Sequence, residues 1–395
     1  MLLDLGPDVL EVVAEYMDVR SVLQLAATTR LLHTAVAAST VLWEALCVRD
    51  FRIAPQAFPR ATAQWATLYR RMHAPIVLTW GVGSNGRLGP GGGHTTVDRP
   101  RAIDTSGLGK VARITCSGFG MHALTQDGCI WFWGSFNGYG SHDRLRVPVD
   151  EPCRSLSSGR THGCALGDSG AAYAWTESRQ VSVVQCNSAT DAPVVDVVAG
   201  WSHVAVLFAN GAVKTRHVND LGTMALQAAE QLPLDDDRAV QVVAGADFTA
   251  VVTDAGHVFL WRQSPMHLER LNDDSGRPIV ATHATACYQT LSIFNSRTNS
   301  VRSYVVTSTD LKDVTPATLA SLGVCKVTHG DWHSGVLTST GHVWTWGNGS
   351  AALGTGNHGS RGVPTPTQVT IGLENLFVFD IGFGGWHSAA LAVAL

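Results

Sequence analysis

Histidine is the residue type that most invites a catalytic or metal-binding interpretation, because this 395-residue chain contains 16 of them. Four of them, His162, His203, His333 and His387, recur at similar points of a repeated pattern. Residues that occur once per repeat lie at separate places in a repeat fold, so they cannot converge on one metal ion. We therefore interpret them as hydrogen-bonding residues that hold each repeat together. We predict no metal site and no cofactor.

Three further motifs resemble functional sites but lack the necessary chemistry. Residues 331–334 read Asp-Trp-His-Ser, yet neighbours on a strand point to opposite faces and do not form a nucleophilic triad. The glycine-rich run 86–93 lacks the Gly-Lys-Ser/Thr of a phosphate-binding loop, so we expect an inter-strand loop. The acidic run 235–237 offers too few oxygen ligands in register for calcium and predicts a solvated turn. No catalytic residue is predicted, and we expect a protein that is not an enzyme.

The composition excludes several classes of protein. Only 15% of the residues are charged, the formal net charge is −4, and there are 40 Gly and 12 Trp. A disordered chain would carry more charge and fewer aromatic residues. A protein that neutralises nucleic-acid phosphates is usually basic. One Gly in ten does not suit a helical bundle, so a β-rich globular protein with many turns remains.

The start of the chain and its cysteines favour a cytosolic or nuclear protein. Asp4 and Asp8 precede the first basic residue, Arg20, which is unlike a signal peptide. No apolar run approaches the ~18 residues of a membrane span, so no membrane association is expected. The eight Cys form no Cys-x-x-Cys pair and are expected to be reduced thiols.

The sequence changes character near residue 75. Before it, apolar residues at three- and four-residue spacing predict helices from Pro7 to Met17, from Ser21, over 31–36, around 42–46 and over 62–72. We assign residues 1–50 to a small all-α domain and 51–75 to a helical linker. Fifty residues are too few for a self-sufficient core, so this unit should pack on its neighbour or on a partner.

Residues 76–395 repeat with a period near 42. Gly159, Gly200, Gly245 and Gly330 are 41, 45 and 85 residues apart, the last being two repeats. A His follows three residues later, except that Phe248 follows Gly245. Further along the repeat comes a turn glycine, and most repeats then have a tryptophan, which we call the repeat tryptophan. The repeat tryptophans are Trp80, Trp133, Trp175, Trp261 and Trp346. Such repeats of strands and turns predict propeller blades or a β-solenoid.

The two ends of this region favour a closed ring. Residues 377–395, with Gly385-Trp386-His387, are the first half of a repeat, and residues 76–89 are a second half. Together they complete one blade and remove the free sheet edges. With units beginning near 111, 153, 194, 239, 279 and 324, this predicts a mostly β, seven-bladed propeller. In the degenerate unit near 279, Ala284 and Cys287 are expected at the Gly and His positions.

The N-terminal segment resembles an F-box. The matching stretches are Leu5-Gly6-Pro7-Asp8-Val9-Leu10, Tyr16-Met17-Asp18, Val22-Leu23-Gln24-Leu25-Ala26 and Leu42-Trp43. The resemblance implies docking to a Skp-family adaptor of a cullin–RING ubiquitin ligase. The residues it assigns to docking are Leu5, Pro7, Asp8, Val9, Leu10, Val13, Leu23, Leu25, Leu42 and Trp43. The alternative is a generic helical cap, in which several of these, especially Leu25 and Trp43, are core residues.

Residues 76–395 resemble the repeats of the regulator of chromosome condensation family. The matching segments are Trp80 to Gly89, Trp133 to Gly140 and Trp346 to Gly354, with the preceding Gly-x-x-His. The resemblance spans about 320 residues and implies a seven-bladed propeller with no catalytic site. The structural signature comprises Gly159, His162, Gly200, His203, Gly245, Gly330, His333, Gly385, His387 and the five repeat tryptophans.

The two resemblances together imply a substrate-recognition subunit of a ubiquitin ligase, in which the propeller binds an unknown target protein. One alternative is a guanine-nucleotide exchange factor or chromatin-binding propeller. Residues 1–75 carry seven acidic and seven basic residues, so there is no basic tail to support that alternative, and binding to nucleic acid is not expected. A second alternative is an interaction scaffold that acts outside ubiquitylation.

Overall fold

The computed structural model describes most of the chain. The described residues are 12, 16–52, 58–59, 65–91, 95–177, 180–188, 190–220, 232–234, 237–263, 266–356 and 362–395. The described residues before 75 include four bounded α-helices: α1 Val19–Thr28, α2 Arg30–Ala38, α3 Thr40–Phe51 and α4 Trp65–Arg71. The predicted first helix, from Pro7 to Met17, lies almost wholly outside the described residues.

Short polar residues separate the first three helices. The side chains of Asp18, Thr29 and Ser39 accept hydrogen bonds from the backbone N–H groups three residues later, at 3.0, 3.2 and 3.1 Å. These residues are N-caps that satisfy donors left free in the first helical turn. Thr29 and Ser39 are each the single residue between two helices, and Asp18 stands directly before α1. The chain therefore changes direction within one residue at each junction, and the helices form a compact unit.

Seven β-sheets follow, arranged as seven blades, which confirms the predicted fold class. Blade 1 holds β3 Val111–Cys116, β4 Gly120–Thr125, β5 Ile130–Gly134 and β6 His142–Arg146. Blade 2 holds β7 Cys153–Ser158, β8 His162–Gly167, β9 Ala172–Glu177 and β10 Val181–Gln185. Blade 3 holds β11 Val194–Ala199, β12 His203–Phe208 and β13 Val213–His217 among the described residues.

The remaining four blades complete the ring. Blade 4 holds β14 Ala239–Ala244, β15 Phe248–Thr253, β16 Val258–Gln263 and β17 Met266–Arg270. Blade 5 holds β18 His283–Cys287, β19 Thr290–Asn295, β20 Ser300–Val306 and β21 Leu311–Asp313. Blade 6 holds β22 Val324–His329, β23 His333–Thr338, β24 Val343–Gly347 and β25 Val363–Val369. Blade 7 holds β26 Leu376–Phe383, β27 His387–Ala394, β1 Ile76–Gly81 and β2 Val97–Ala102.

Blade 7 joins the two ends of the propeller, as the half-repeats predicted. Strand β1 pairs antiparallel with β27 in an unbroken register from Ile76 opposite Ala392 to Gly81 opposite His387. The sheet order is β2-β1-β27-β26, so the third and fourth strands come from the start of the propeller and the first two from its end. The ring is therefore closed by hydrogen bonds and not by a covalent link.

Blade 5 differs from the prediction at its inner turn. Ala284 and Cys287 lie inside β18, opposite Ile293 and Thr290, and not at the turn. Only Tyr288 and Gln289 connect the two strands, and Tyr288 adopts a positive φ of 49°. The expected alignment of Ala284 with the signature glycine is wrong because this hairpin is shorter than the Gly-x-x-His turn of the other repeats.

The helical unit packs on one side of the ring and shares a hydrophobic core with it. Buried residues of α3 and α4, such as Leu46 and Trp65, lie in one cluster with Val77, Val111 and Phe379 of blades 7 and 1. This shared core meets the expectation that the small helical unit leans on its neighbour. Among the described residues no single helix could cross a membrane, although α2 and α3, bent by 65°, reach the necessary length and composition together.

The propeller has two faces that differ in what covers them. Within a blade, the loop between the first and second strands lies on the same side as the loop between the third and fourth strands. Backbone hydrogen bonds join these two loops, from Ser135 N to Phe119 O in blade 1 and from Asn348 N to Trp332 O in blade 6. We call this side the upper face. The helical unit contacts the opposite side, where Arg52 reaches Gln126 O and Cys153 O. The upper face is thus opposite the helices.

Candidate interaction sites

The signature histidines bind adjacent blades together. The Nε2 atom of His162 in blade 2 donates to the carbonyl of His203 in blade 3 at 3.2 Å, and that of His387 in blade 7 donates to Gly120 O in blade 1 at 3.0 Å. His203 Nε2 lies 3.0 Å from Thr249 Oγ1 in blade 4. These contacts support the predicted hydrogen-bonding role, with the difference that the bonds link neighbouring blades.

The signature glycines allow that close approach. A Cβ on Gly159 would lie 2.3 Å from the carbonyl oxygen of Gly200, and one on Gly200 would lie 2.6 Å from that of Gly245. The same holds for Gly330 against Gly384 O, at 2.1 Å. No side chain fits at these distances, so the inner turns of neighbouring blades touch through their backbones.

The signature glycine of blade 7 is Gly384, and the assignment to Gly385 is corrected. Gly384 N donates to His387 O at 2.9 Å, which is the turn bond that Gly330 makes to His333. A Cβ on Gly384 would lie 2.4 Å from Ser117 O of blade 1. Two consecutive glycines made the sequence ambiguous here, and only the bond pattern identifies which of them occupies the repeat position.

Burial makes the signature histidines poor proton acceptors. It lowers the pKa of His162 and His203 to about 4, and that of His333 and His387 to about 3. Burial disfavours the charged imidazolium because these rings lose their hydration. The four side chains are 0–2% exposed, so they serve as neutral hydrogen-bonding groups.

The repeat tryptophans pack against the preceding blade. Trp80 Nε1 donates to Ala352 O of blade 6 at 2.8 Å, and Trp175 Nε1 donates to His122 Nε2 of blade 1 at 3.0 Å. Trp133 is fully buried, and Trp261 is 7% exposed. Trp346 is half-buried against the core of blade 5. His122, two residues beyond the signature position, is thus the ring that receives the Trp175 bond.

Polar side chains of the innermost strands form a second set of blade contacts, which the sequence did not reveal. Asp196 accepts from Val242 N at 3.4 Å, Asp380 accepts from Ile114 N at 3.2 Å, and Gln241 bonds both N and O of Ala284. Each of these three acceptors belongs to a different blade and binds the backbone of the following one. Lys326 adds an ion pair to Asp380 at 2.5 Å.

A local irregularity of the inner strands aims these side chains into the central channel. The register shifts between Val194 and Asp196, between Ala239 and Gln241, and between Val378 and Asp380. A bulge of one residue re-aims the side chain that follows it. In the sequence, these contacts are marked only by a polar residue two positions after the start of an aliphatic run. A strand with one face in solvent would show the same pattern, so the contacts could not be predicted.

The channel is a cavity of about 330 Å³ that all seven blades line. Asp196 lines it and is half-buried, and the loss of hydration inside the ring raises the pKa of its carboxyl to about 6. At the lower end, Arg113 Nε donates to the carbonyl of Arg52 from the helical unit at 2.9 Å. The helical unit therefore contacts the lower end of the channel directly.

At the upper end an ion pair spans the ring. Arg160 in the inner turn of blade 2 binds Asp331 in that of blade 6 at 2.6 Å. The guanidinium carbon of Arg160 lies 5.0 Å from the centre of the Phe119 ring and 4.1 Å from that of Trp201. Rings on both sides of a guanidinium favour its charge and fix its position. Arg160 is therefore held rigidly over the channel.

Large aromatic side chains surround this ion pair. Trp201 packs against Tyr288 with ring centres 4.4 Å apart and ring planes tilted by 36°, and Trp332 stacks on Trp386 at 5.6 Å. Trp332 and Trp386 remain 48% and 39% exposed. We call Phe119, Trp201, Tyr288, Trp332 and Trp386 the aromatic collar. Aromatic residues exposed together on a rigid surface are typical of protein-binding sites.

The residues predicted for adaptor docking fall into three groups. Leu23 is 54% exposed and Leu25 is half-buried, both on α1. Leu42 and Trp43 lie in the core at 1% and 6% exposure, and Trp43 Nε1 donates to Val36 O at 2.7 Å. This burial agrees with the alternative in which Leu42 and Trp43 are core residues of the helical unit. The remaining predicted residues, Leu5, Pro7, Asp8, Val9, Leu10 and Val13, lie outside the described residues.

Comparison with known proteins follows the two parts of the fold. A model of the regulator of chromosome condensation (RCC1) repeat matches residues 340–391. The F-box protein pof9 of Schizosaccharomyces pombe is 23% identical, over 99% of this chain and 90% of its own. The ultraviolet-B receptor UVR8 of Arabidopsis thaliana is 26% identical over 80% of this chain and 70% of its own. The E3 ubiquitin-protein ligase HERC2 of Mus musculus is 25% identical over 80% of this chain, which spans only 5% of that ligase.

Solved structures share the propeller. The structure of human WBSCR16 superposes with a TM-score of 0.61 and 18% identity, covering 82% of this chain and all of that one. Prp20p from Saccharomyces cerevisiae gives a TM-score of 0.63 and 17% identity, covering 83% and 94%. Among the described residues no cluster of His, Cys, Asp and Glu could hold a metal ion. The resemblance to F-box proteins with an RCC1-type propeller is confirmed.

Proposed function

We propose that this chain, which resembles an F-box protein with an RCC1-type propeller, is the substrate-recognition subunit of a Skp/cullin/F-box ubiquitin ligase. The observation that carries the proposal is the likeness to the F-box protein pof9, which extends over 99% of one chain and 90% of the other. Because the likeness covers the helical segment and the propeller together, it supports the same roles for the two parts, with adaptor docking by the helices and target binding by the propeller. The similarity to HERC2, a ubiquitin ligase, supports the same pathway.

The exposed apolar side chains of the helical unit support adaptor docking. Leu23, Leu31 and Val41 are 54%, 64% and 56% exposed, although Val22 and Leu46 of the same helices are fully buried. Large apolar side chains left on a short helical unit favour burial against a partner. The docking surface in this proposal comprises these three residues and the predicted residues before Asp18.

The position of the two parts suggests how the subunit would work. The helices lie on the lower side of the ring, so an adaptor bound there leaves the upper face open to a target. The rigid ring would hold a lysine of the target near a ubiquitin-charged conjugating enzyme and raise its effective concentration. In this proposal the chain catalyses nothing itself and acts in the cytoplasm or nucleus of a eukaryotic or infected host cell.

Binding to a purified Skp-family adaptor tests the proposal. We expect the full chain to bind, and the L23E/L31E variant to bind at least tenfold more weakly, because two charges would enter an apolar interface. L5A/P7A/L10A should also lose affinity. The matched control is I371E, which places a charge at a propeller residue that is 41% exposed. Failure of the wild-type chain to bind, or equal binding by the variants and the wild type, would refute adaptor docking.

The rival function has its own assay. A nucleotide exchange factor would accelerate nucleotide release from a Ran-type GTPase, and we expect no acceleration by the full chain. Adaptor binding without target modification in a reconstituted ligase would instead favour the scaffold function. The three measurements therefore separate the proposed function from both alternatives.

A further inference from the structure

The upper face carries a cluster of charged and aromatic side chains that contacts within the chain already hold in place. Arg160 is clamped between Phe119 and Trp201 and bridges to Asp331. Within the aromatic collar, Trp201 packs against Tyr288 at a tilt, and Trp332 stacks on Trp386. Side chains that are already ordered lose little conformational entropy on binding, which favours affinity.

Two arginines and one carboxylate meet beside the collar, and Arg87, one of the two arginines, is itself only 4% exposed. Arg87 lies near the same ring as Arg160, with its guanidinium carbon 5.5 Å from the centre of Phe119. Arg87 and Arg160 both interact with Asp331, so two cations share one carboxylate on the side of the ring formed by blades 1, 2, 6 and 7. Asp247, the other acid of the inner turns, belongs to blade 4 across the ring.

Arg160 keeps a part of its surface open to a partner. Its side chain is 29% exposed, whereas that of Asp331 is 9% exposed. An arriving negative charge would therefore meet the guanidinium before the carboxylate. Charge-assisted bonds to arginine are strong and directional because its donors form a planar fork.

We propose that the upper face binds an extended, acidic segment of a target protein through Arg160 and the aromatic collar. One Asp or Glu of the segment contacts Arg160, and apolar side chains next to it pack on Trp332 and Trp386. Tryptophan and arginine are the residues most enriched among those that dominate binding energy, and here they lie side by side. The biological role of this surface, as the place where the ligase holds its target, rests on the proposed function. The binding of an acidic segment does not.

The alternative occupant is a basic segment, since aromatic rings and Asp331 could also receive a cation. In that arrangement Asp331 would be the contact, and Arg160 would repel the ligand. The two occupants therefore predict opposite effects for R160Q and D331N. Both variants break the same ion pair, so a general loss of stability would lower peptide binding by both of them. It could not produce weaker binding by one variant and unchanged binding by the other.

The probe is a phage-displayed library of random peptides selected against the full wild-type chain. We expect enriched peptides to carry an Asp or Glu beside aromatic or aliphatic residues. A fluorescent copy of an enriched peptide should bind R160Q and W332A/W386A at least roughly tenfold more weakly. D331N should bind as well as the wild type or better. Y139A is the matched control, because Tyr139 is 85% exposed in an outer loop of the same face and should not matter.

Enrichment of basic peptides, weaker binding by D331N than by R160Q, or undiminished binding by W332A/W386A would overturn the proposal. A library that yields no peptide specific for the wild-type chain over W332A/W386A would overturn it too. Thermal melting of each variant verifies that the ring is folded. Because no adaptor is present, this experiment can fail while adaptor docking succeeds, and the reverse also holds.

Discussion

His333 Nε2 in blade 6 lies 2.7 Å from Ser388 Oγ in blade 7, where both side chains are buried. This bond connects the last complete repeat to the blade that joins the two chain ends. We expect H333A to lower the free energy of unfolding by about 1–3 kcal/mol, because it removes the bond and leaves Ser388 with one partner fewer. Urea unfolding measures the change.

The coupling between the two residues gives a control for that prediction. S388A should cost a similar amount, and the double variant should cost less than the sum of the two single changes. H267A, which truncates a 60% exposed side chain in blade 4, should leave stability unchanged. Additive effects of H333A and S388A would contradict a direct interaction.

Stability should fall as the pH is lowered from about 7 towards 4. The buried His162, His203, His333 and His387 have a pKa of about 3 to 4 in the folded chain, against 6.5 when exposed. Below 6.5 the unfolded chain therefore binds more protons than the folded chain, and the free energy of unfolding rises with pH across this window. Thermal melting at constant ionic strength measures the trend.

Asp196 acts in the opposite direction, since its raised pKa of about 6 favours the folded chain at low pH. One such carboxyl is outweighed by several histidines. H203Q should flatten the pH dependence, because it removes one of the groups that take up a proton on unfolding. A pH profile of H203Q as steep as that of the wild type would contradict this origin.

Arg52 should be the main polar link between the helical unit and the propeller. It donates to Gln126 O and Cys153 O at 3.0 and 2.9 Å and pairs with Asp168 at 2.8 Å. We expect R52A to lower the free energy of unfolding by about 2 kcal/mol and to increase hydrogen exchange in α3. R52K should recover only part of this, because lysine lacks the planar fork. R30A is the control, and equal effects of R52A and R30A would refute the link.

Only two lysines should be open to acylation. The chain has four, at 110, 214, 312 and 326. Lys214 is 7% exposed and paired with Asp191, and Lys326 is 20% exposed and paired with Asp380 in the channel. Lys110 and Lys312 are exposed. Mass spectrometry after brief treatment with an acetylating reagent should find these two modified.

The urea-unfolded chain is the control for this labelling, and all four lysines should then react equally. In a reconstituted ligase, the same two lysines should be the ones that accept ubiquitin when the subunit modifies itself. Rapid acetylation of Lys214 in the folded chain would show that its ion pair does not protect it.

The ring was predictable because its signals are periodic. Gly159, Gly200 and Gly330 recur wherever two backbones touch, and any larger residue would separate the blades. The half-repeats at 76–89 and 377–395 identified the composite blade because each half alone would leave an unpaired edge. Because the signature glycines recur from blade to blade, one sequence contains several independent copies of the pattern that predicts a blade.

The candidate binding surface was not predictable, because it depends on contacts between distant parts of the chain. Arg160 and Asp331 are 171 residues apart, and no local pattern marks their meeting. Asp196 and Gln241 face the channel because of a bulge that shifts the alternation of the strand by one residue. Trp43 and Leu23 both fit the docking pattern, yet only the packing of α2 against α3 tells which is buried.

The pairing of Ile76 with Ala392 also determines when the protein becomes functional during its synthesis. The helical unit leaves the ribosome first, whereas the ring cannot close until the final strand has been made. Because the upper face requires inner turns from all parts of the ring, a chain that stops early presents the helices without an assembled collar. The helical unit also shares its core with the last two strands of blade 7, so a nonsense or frameshift mutation within the propeller should remove the collar and destabilise the helices together. This predicts loss of function for truncated alleles.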